Sequence, residues 1–404
     1  MLTLGWSDGN TFLPISFNLL SSAKDENVLC EAKTVDKRTL AYKRRERARQ
    51  STTDVLIEML RAAKDIPARF VLFDSWFTLP KTINRVKNEN RDVIGMIRIT
   101  DGIAFLVSLF TTPLVSRLAF SIGALDKPGK RKIHDRIIPR LGGPAVFLGF
   151  LAAAALLLGD DQRVGGLIAG GTVILLLGVA DDIRGISPKV KLLGQTVAAI
   201  IVIISGIQIQ LISNPFNGYF YLGILGVPFT IFWIVSVTNA VNLIDGLDGL
   251  AAGVSIIALL TFALIAHQMG QTTVPLLSIA LAGAVFGFLR YNFFPAKIFL
   301  GDSGSMFLGF MISVLAVYGL LKGITVVAFI VPIVVLGVPI FDTCFAIFRR
   351  FRAHKPIFQA DKKHIHHRLL SRGLSHRQTV LVIYGISVFF SMSALLIMRT
   401  GLFF

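Results

Sequence analysis

The chain has 404 residues, of which 53% are hydrophobic and 16% charged, and its mean hydropathy is +0.68. This composition excludes an ordinary soluble protein of the same length and predicts contact with lipid. The formal net charge of +17 is compatible with nucleic-acid binding, but basic loops beside anionic lipid produce the same excess. With two cysteines, Cys30 and Cys344, no disulfide framework is expected.

Residues 1–100 contain no apolar run that approaches the roughly 20 residues needed to span a bilayer. We expect a soluble, α/β-like fragment here. Its segments Gly-Trp-Ser-Asp-Gly-Asn, Lys-Arg-Arg and Val-Leu-Phe-Asp-Ser-Trp-Phe resemble the middle of an IS4-type DDE transposase. The resemblance implies that Asp74 is one catalytic acid, whereas the regions that would supply the other two are missing. We therefore interpret residues 1–100 as a vestigial fragment, left by an insertion-element fusion or by a start codon assigned upstream of Met96.

From residue 101 onward, apolar runs follow one another to the end of the chain. They predict an all-α polytopic membrane protein over residues 101–404, with about ten transmembrane helices. The predicted spans lie near 103–121, 141–158, 165–180, 192–211, 221–241, 250–267, 273–289, 305–321, 324–348 and 379–398.

The basic residues between these spans lie almost entirely in alternate loops. One side would carry the basic stretches near 127–140, 184–191, 290–297 and 349–377, whereas the other holds only Arg163, Lys322 and Arg399. By the positive-inside rule the basic side faces the cytoplasm. Because all the polar clusters fall on the basic side, we predict an active site at the cytoplasmic face of the membrane.

The first basic loop reads Asp-Lys-Pro-Gly-Lys-Arg-Lys-Ile-His from Asp126 and is followed by Pro-Arg-Leu-Gly-Gly from Pro139. Arginine and lysine complement phosphate charge, and glycines let a backbone approach a ligand closely. The alternative is an ordinary positive-inside loop that leads into the next helix.

Asp181 and Asp182 end the third predicted span. A carboxylate at bilayer depth costs on the order of 2.5–3.5 kcal/mol, and two adjacent ones repel each other, so the pair requires a cation. A divalent metal, Arg184 or Lys189 would serve. Adjacency also raises one pKa, which suits a general base. The alternative is a solvated, inert pair at the interface.

Four polar residues recur every three positions after the fifth predicted span, and they would share one helical stripe if that turn stays helical. Two glycines beside them would allow a substrate or another backbone to come close. A solvated helix face is the alternative interpretation. The four residues are Asn239, Asn242, Asp245 and Asp248, and the glycines are Gly246 and Gly249.

Two further clusters follow. Asn292 precedes a Gly-Asp-Ser-Gly turn in which backbone N–H groups and the Asp302 carboxylate would suit Mg²⁺ or phosphate, although such a turn is also common in loops. His364, His366 and His367 lie in the last basic loop with no cysteine nearby, so we favour phosphate contact over zinc.

Acids for a divalent metal, cations for phosphates and a membrane location together predict phosphoryl transfer to a lipid. A transporter is the main alternative, because intramembrane carboxylates also mark ion pathways. It predicts acids near the middle of the spans, whereas these acids lie at the ends. DNA binding or transposition through residues 1–100 would require a complete acidic triad.

The same clusters resemble the polyprenyl-phosphate N-acetylhexosamine-1-phosphate transferases, which include MraY, WecA and TagO. The resemblance covers about 101–399. The form His-Ile-His-His is similar to the WecA and TagO branch, and Arg368 stands where MraY-type enzymes carry a third consecutive histidine. This departure argues against UDP-MurNAc-pentapeptide as the donor.

The resemblance implies transfer of N-acetylglucosamine-1-phosphate, or a related N-acetylhexosamine-1-phosphate, from a UDP-sugar to undecaprenyl phosphate with release of UMP. This is the first step of cell-envelope polysaccharide or teichoic-acid synthesis. Mg²⁺ or Mn²⁺ is the implied cofactor, a homodimer would be usual for the family, and no nucleic-acid partner is expected for residues 101–404.

The resemblance also implies site roles. Asp302 would ligate the metal, and Asp181 with Asp182 would help to hold it or deprotonate the lipid phosphate. His366 and His367 would contact the pyrophosphate or the sugar, and Phe299 would stack on uracil. The remaining candidates for binding the nucleotide sugar are Lys132, Arg136, Asn242, Asp245, Asp248, Asn292 and His364.

Overall fold

The structure is a computed structural model and describes residues 2–7, 12–18, 52–64, 70–73, 92–95, 99–126, 136–157, 161–213, 219–269, 271, 273–320, 327–353 and 364–400. Lys132 and Asp74, both named in the predictions, lie outside these residues. The chain divides into two compact units, Met1–Ile99 and Thr100–Phe404.

The described residues of the first unit form two pairs of strands and one helix. Strands β1 (Leu2–Ser7) and β2 (Phe12–Asn18) pair antiparallel, helix α1 spans Thr52–Ala62, and β3 (Phe70–Phe73) pairs parallel with β4 (Asp92–Gly95). Helix α1 is amphipathic because its buried apolar residues recur at helical spacing. These are Val55, Leu56, Ile57, Met59 and Leu60, whereas Asp54, Glu58 and Arg61 on the opposite face are exposed. The transposase interpretation stays a prediction.

Where the structure describes it, the second unit is helical apart from two short strand pairs, β5 with β6 and β7 with β8, both antiparallel. Its elements in chain order are α2 (Ile99–Ile122), β5 (Leu125–Asp126), β6 (Ile138–Pro139), α3 (Gly143–Leu157), α4 (Gln162–Arg184), α5 (Pro188–Ile204), β7 (Leu211–Ser213), β8 (Tyr219–Tyr221), a 3₁₀ turn (Gly223–Leu225), α6 (Gly226–Ile244), α7 (Leu250–Gln268), α8 (Thr273–Asn292), α9 (Gly301–Leu320), α10 (Val327–Val335), α11 (Gly337–Arg352), α12 (Ile365–Leu370) and α13 (His376–Thr400).

Within the described residues, seven helical segments are long and apolar enough to cross a membrane. They confirm the prediction of an all-α polytopic membrane protein. Helices α3 and α5 coincide with two more predicted spans but have only 15 and 17 residues. The seven segments are Gly102–Ile122, Gln162–Arg184, Gly223–Ile244, Leu250–Gln268, Thr273–Asn292, Gly301–Gly319 and His376–Met398.

The predicted span 324–348 is two helices, α10 and α11, with Leu336 between them in a non-helical conformation. Pro339 accounts for the break, because a proline has no N–H to donate to the carbonyl of Val335 and its ring clashes with that group. Apolarity alone therefore located this segment but missed its interruption.

Helix α9 lies at the centre of the bundle. In its spanning segment 89% of the residues are buried, whereas only 28% are buried in the spanning segments of α2 and α13 at the periphery. It packs against α3, α4, α6 and α7. The apolar side chains on the outer faces of the peripheral helices, such as Phe110 and Phe389, are exposed, as expected for lipid contact. The position of α9 is therefore fixed by several neighbouring helices at once.

Candidate active site

Helices α4 and α9 run antiparallel, so the last turn of α4 meets the first turn of α9. Asp181 and Asp182 lie in the last turn of α4, and Asp302 lies in the first turn of α9. Gly178 makes this approach possible, because a Cβ there would overlap the Ser303 backbone, with its nitrogen only 2.7 Å away. We call this end of the bundle the Asp302 end.

Asp182 fixes the start of α9. Its Oδ1 accepts hydrogen bonds from the backbone N–H of Asp302 at 2.9 Å and from Nε and Nη2 of Arg140 at 3.2 and 3.1 Å. Its Oδ2 accepts from the N–H of Ser303 at 3.0 Å, and the side chain is fully buried. A buried carboxylate needs such donors, and the N–H groups at a helix start need an acceptor. Asp182 thus holds Asp302 in place.

The Asp302 side chain is partly exposed at the Asp302 end and is surrounded by polar and charged side chains. Its Oδ1 accepts from Nδ2 of Asn242 at 2.8 Å, and its Oδ2 lies 3.1 Å from Nζ of Lys191 and 3.7 Å from Nη2 of Arg140. About a quarter of the side chain is exposed. Asn242 also donates to Oγ of Ser305, one helical turn along α9. Asp302 is thus positioned from several sides and remains accessible.

Lys191 connects two carboxylates, since its ammonium group contacts Asp181 as well as Asp302. Asp181 also accepts from the N–H of Ile186 at 2.6 Å. The cations expected beside Asp181 and Asp182 were a divalent metal, Arg184 or Lys189, but Arg184 and Lys189 are both exposed. Lys191 lies four residues before the buried Gln195 on α5, and this helical spacing is the signal that would have identified it.

Arg140 is a second cation at this end whose individual role was not predicted from the sequence. It belongs to the Pro-Arg-Leu-Gly-Gly segment, whose backbone pairs with Phe299. Because this pairing places the guanidinium group beside Asp182 and Asp302, Arg140 faces the same space as Asp302. No local pattern in the sequence indicates the pairing.

The predicted polar stripe is divided. Helix α6 ends at Ile244, so Asn239 and Asn242 share its face, whereas Asp245 and Asp248 lie in the following loop. Nδ2 of Asn239 donates to Oε1 of Gln195 at 2.7 Å. Burial, reinforced by the negative charge of Asp302, raises the pKa of Asp245 to about 8. Asp245 is therefore mostly protonated at neutral pH.

Asp248 and Asn292 hold the two loops beside the cavity together. Oδ2 of Asp248 accepts from the N–H of Ala296 at 2.9 Å. Oδ1 of Asn292 accepts from the N–H of Gly249 at 3.1 Å, and its Nδ2 donates to the carbonyl of Ile298 at 3.0 Å. Both residues line the cavity, but these polar atoms are used within the protein.

The three predicted histidines have different surroundings. His364 is buried, its Nδ1 is 2.8 Å from Oδ2 of Asp342, and it does not line the cavity. His366 is 2% exposed, and burial lowers its pKa to about 4, so its imidazole is neutral at pH 7. His367 lines the cavity, and its ring centroid is 4.3 Å from that of His366.

A cavity of about 1070 Å³ opens beside Asp302 and brings most of the predicted residues together. It combines carboxylates, cations and two phenylalanine rings, which suits a ligand that has phosphates and a planar base. The residues used in this argument are Asp245, Asp302, Arg136, Arg140, Phe294 and Phe299.

The donor set at the Asp302 end fits a hard divalent cation. In the described part of the chain, no three acidic, histidine or cysteine side chains are grouped so as to hold a metal by themselves. Asp181 and Asp302 nevertheless share one cation, Lys191. Mg²⁺ commonly takes one or two carboxylates, with substrate phosphates and water completing its shell. Asp182 is fully buried and binds the backbone at the start of α9, whereas Asp302 is about a quarter exposed and shares the Lys191 cation with Asp181, so this geometry favours Asp302 and Asp181 as ligands.

Comparison with known proteins identifies the family. Residues 164–320 match glycosyl transferase family 4. A Bacillus subtilis (strain 168) protein, named probable undecaprenyl-phosphate N-acetylglucosaminyl 1-phosphate transferase, is 49% identical over 308 residues, which are 75% of this chain and 86% of the relative. The chain belongs to glycosyl transferase family 4. The predicted resemblance to the polyprenyl-phosphate N-acetylhexosamine-1-phosphate transferases is thereby confirmed.

Relatives with lower sequence identity carry names that describe the same type of transferase. A decaprenyl-phosphate N-acetylglucosaminephosphotransferase of Mycobacterium tuberculosis (strain ATCC 25618 / H37Rv) is 35% identical over 70% of this chain and 77% of its own length. An undecaprenyl-phosphate alpha-N-acetylglucosaminyl 1-phosphate transferase of Haemophilus influenzae (strain ATCC 51907 / DSM 11121 / KW20 / Rd) is 33% identical over 70% of this chain and 82% of its length.

Proposed function

We propose that this membrane protein transfers N-acetylglucosamine-1-phosphate from UDP-N-acetylglucosamine to undecaprenyl phosphate and releases UMP. The names of the family members supply the lipid phosphate and the transferred group, and the UDP-sugar donor is the one that the sequence resemblance implies. The observation that carries the proposal is the convergence of two carboxylates and two cationic side chains beside a cavity, because phosphoryl transfer depends mainly on positioning and on neutralising charge. These residues are Asp181, Asp302, Arg140 and Lys191.

In this reaction, an oxygen of the lipid phosphate attacks the phosphorus that carries the sugar. The bond from that phosphorus to the UMP oxygen breaks, and a lipid diphosphate sugar forms. A phosphate monoester is already largely dianionic at pH 7, since its second pKa is about 6, so the nucleophile requires little help from a base. The main task of the protein is therefore to bring two anions together.

Mg²⁺ or Mn²⁺, when bound by Asp302 and Asp181, would neutralise charge on the diphosphate. Arg140 and Lys191, which lie beside Asp302, are placed to bind phosphate oxygens. Asp245, protonated at neutral pH, can donate a hydrogen bond without adding negative charge to the cavity. His367 is placed to contact the diphosphate or the sugar, and Phe299 to lie against the base.

We place the Asp302 end at the cytoplasmic face of the plasma membrane. The charge distribution of the loops supports this orientation. The alternative of a transporter has little support, because Asp181, Asp182 and Asp302 lie in terminal turns of their helices and not in the middle of the spans. The homodimer expected from the resemblance stays a prediction.

The proposal is tested by incubating the purified full-length protein with UDP-N-acetylglucosamine, undecaprenyl phosphate and Mg²⁺ and measuring UMP. The B. subtilis relative serves as a parallel control for the lipid and the detergent. We expect UMP that requires both substrates and disappears with a chelator. No UMP from this chain, while the relative releases it under the same conditions, would exclude the proposed activity.

A further inference from the structure

Asp342 lies on α11 and does not line the cavity, and both of its oxygens contact residues 364–367, which we call the histidine segment. Oδ2 is 2.8 Å from Nδ1 of His364, and Oδ1 accepts from the N–H of Ile365 at 2.9 Å. The side chains of Asp342 and His364 are only 6% and 7% exposed. Removing one partner of such a buried pair leaves polar atoms without hydrogen bonds, so the contact strongly restrains where the histidine segment lies.

The carboxylate also determines the tautomer of His364. An ionised carboxylate accepts hydrogen bonds only, so Nδ1 of His364 must carry a proton in this contact. The ring of His364 lies nearly parallel to that of His366, at an interplanar angle of 4° and a centroid distance of 5.9 Å. A change in the orientation of the His364 ring would therefore affect that of the His366 ring.

His366 has little room to move on its other side. A Cβ on Gly246 would lie 2.5 Å from its Nε2, so the ring fills the space beside that glycine in the loop after α6. His367, whose ring contacts that of His366, lines the cavity beside Asp245 and Asp302. The histidine segment is therefore held between Asp342 on one side and the loop of Asp245 on the other.

We propose that Asp342 and His364 form a positioning pair that does not touch substrate and that orients His366 and His367 at the cavity. The inference rests on the proposed function for its kinetic consequence, but its structural content is independent of that function. It also changes the expected role of His364 from binding the nucleotide sugar to holding its neighbours. Similar partners behind metal-ligating histidines contribute about tenfold to a hundredfold to affinity or activity.

The structural test uses the ligand-free, full-length protein in detergent, labelled with ¹⁵N-histidine and observed by NMR. His364→Gln, His366→Gln and His367→Gln assign the signals. We expect His364 to carry its proton on Nδ1, and we expect Asp342→Asn to shift the signals of all three histidines. A His364 protonated on Nε2 alone, or signals of His366 and His367 that Asp342→Asn leaves unchanged, would overturn the pair.

The kinetic test measures kcat/KM for UDP-N-acetylglucosamine. We expect Asp342→Ala and His364→Ala each to lower kcat/KM by about tenfold or more. The double variant should have the same kcat/KM as the less active of the two single variants, because both changes remove the same contact. In a His367→Ala background, Asp342→Ala should add less than about a threefold loss, because Asp342 acts through that histidine. If the fold-losses in kcat/KM of Asp342→Ala and His367→Ala multiply in the double variant, the two residues act independently, and the inference is contradicted.

Asp161→Ala, at the opposite end of α4, is the matched control and should keep kcat/KM within about twofold. If Asp342→Ala does not fold, Asp342→Asn, which retains one acceptor oxygen, replaces it in the same comparison. A wild-type protein without activity would refute the proposed function, while the NMR result would still decide whether the pair exists.

Discussion

Helices α4 and α9 are joined by an aspartate at each end, but the two ends differ in what surrounds that aspartate. At the Asp302 end, Asp182 binds the start of α9. At the opposite end, Oη of Tyr318 donates to Oδ2 of Asp161 at 2.6 Å, and Arg163 lies over the tyrosine ring. The same kind of contact joins the helices in both places. Only at the Asp302 end, among the described residues, do further carboxylates and cations from other elements meet the aspartate beside this cavity, and this is why we place the proposed site there.

The strongest test of this difference removes one charge from each end. Asp302→Asn keeps the shape and the hydrogen bond from Asn242 but loses the negative charge that a divalent cation requires. We expect turnover to fall by about a thousandfold, with little change in thermal stability. Asp161→Asn is the control and should leave turnover within about twofold. An Asp302→Asn protein that retains a tenth of the wild-type rate would remove Asp302 from the chemistry.

A second test moves the Asp302 end without changing any charge. In Gly178→Ala, the new methyl group would overlap the Ser303 backbone, so α9 must shift away from Asp182. We expect kcat/KM to fall by about a hundredfold, since small displacements of catalytic groups have costs of this size. Gly165→Ala, on the same helix with nothing within 4 Å of the added methyl group, should be neutral. Equal activity of the two variants would contradict the close packing of α4 and α9.

The Asp302 end should also make stability depend on pH. Burial raises the pKa of Asp245 from its ordinary value of 3.8 to about 8 in the folded protein. Between these values the folded state binds a proton that the unfolded state does not, so stability falls as pH rises towards 8. We expect the melting temperature of the wild type to decrease from pH 5 to pH 8 more steeply than that of Asp245→Asn. Parallel curves would mean that Asp245 is ionised.

The smallest effect is expected at the opposite end. Tyr318→Phe removes the hydrogen bond to Asp161, whose other oxygen still caps α4 by accepting from the N–H of Arg163. We expect the free energy of unfolding to fall by about 1 kcal/mol and turnover to stay unchanged. Chemical denaturation and the UMP assay measure the two quantities. A large loss of turnover would show that the opposite end takes part in the reaction.

Local sequence patterns predicted much of this architecture. Apolar runs of about 20 residues located the long helices, because a spanning helix must satisfy its backbone within one segment. The same patterns could not show that Pro339 divides the span near 324–348, or that α6 ends before Asp245. Helix ends depend on individual residues and on tertiary contacts, which average hydropathy does not record.

The residue types at the site were predictable, but their separate tasks were not. Asp181 and Asp182 are neighbours in sequence, yet one shares Lys191 with Asp302 and the other binds the backbone of α9. Which of two adjacent aspartates faces the cavity depends on the packing of α4 against α9. His364 was predicted to bind the nucleotide sugar, whereas its ring is paired with Asp342. Contacts between residues far apart in sequence decide such roles.

The central claim is that a sugar phosphate moves to a lipid phosphate at the Asp302 end. It is tested most directly with UDP-N-acetylglucosamine that carries ³²P in the phosphate next to the sugar and ¹⁴C in the sugar. We predict that both labels enter the undecaprenyl phosphate fraction in equal amounts, with one UMP released for each, and that Asp302→Asn transfers neither. Transfer of ¹⁴C without ³²P, or release of UMP without labelled lipid, would contradict the account.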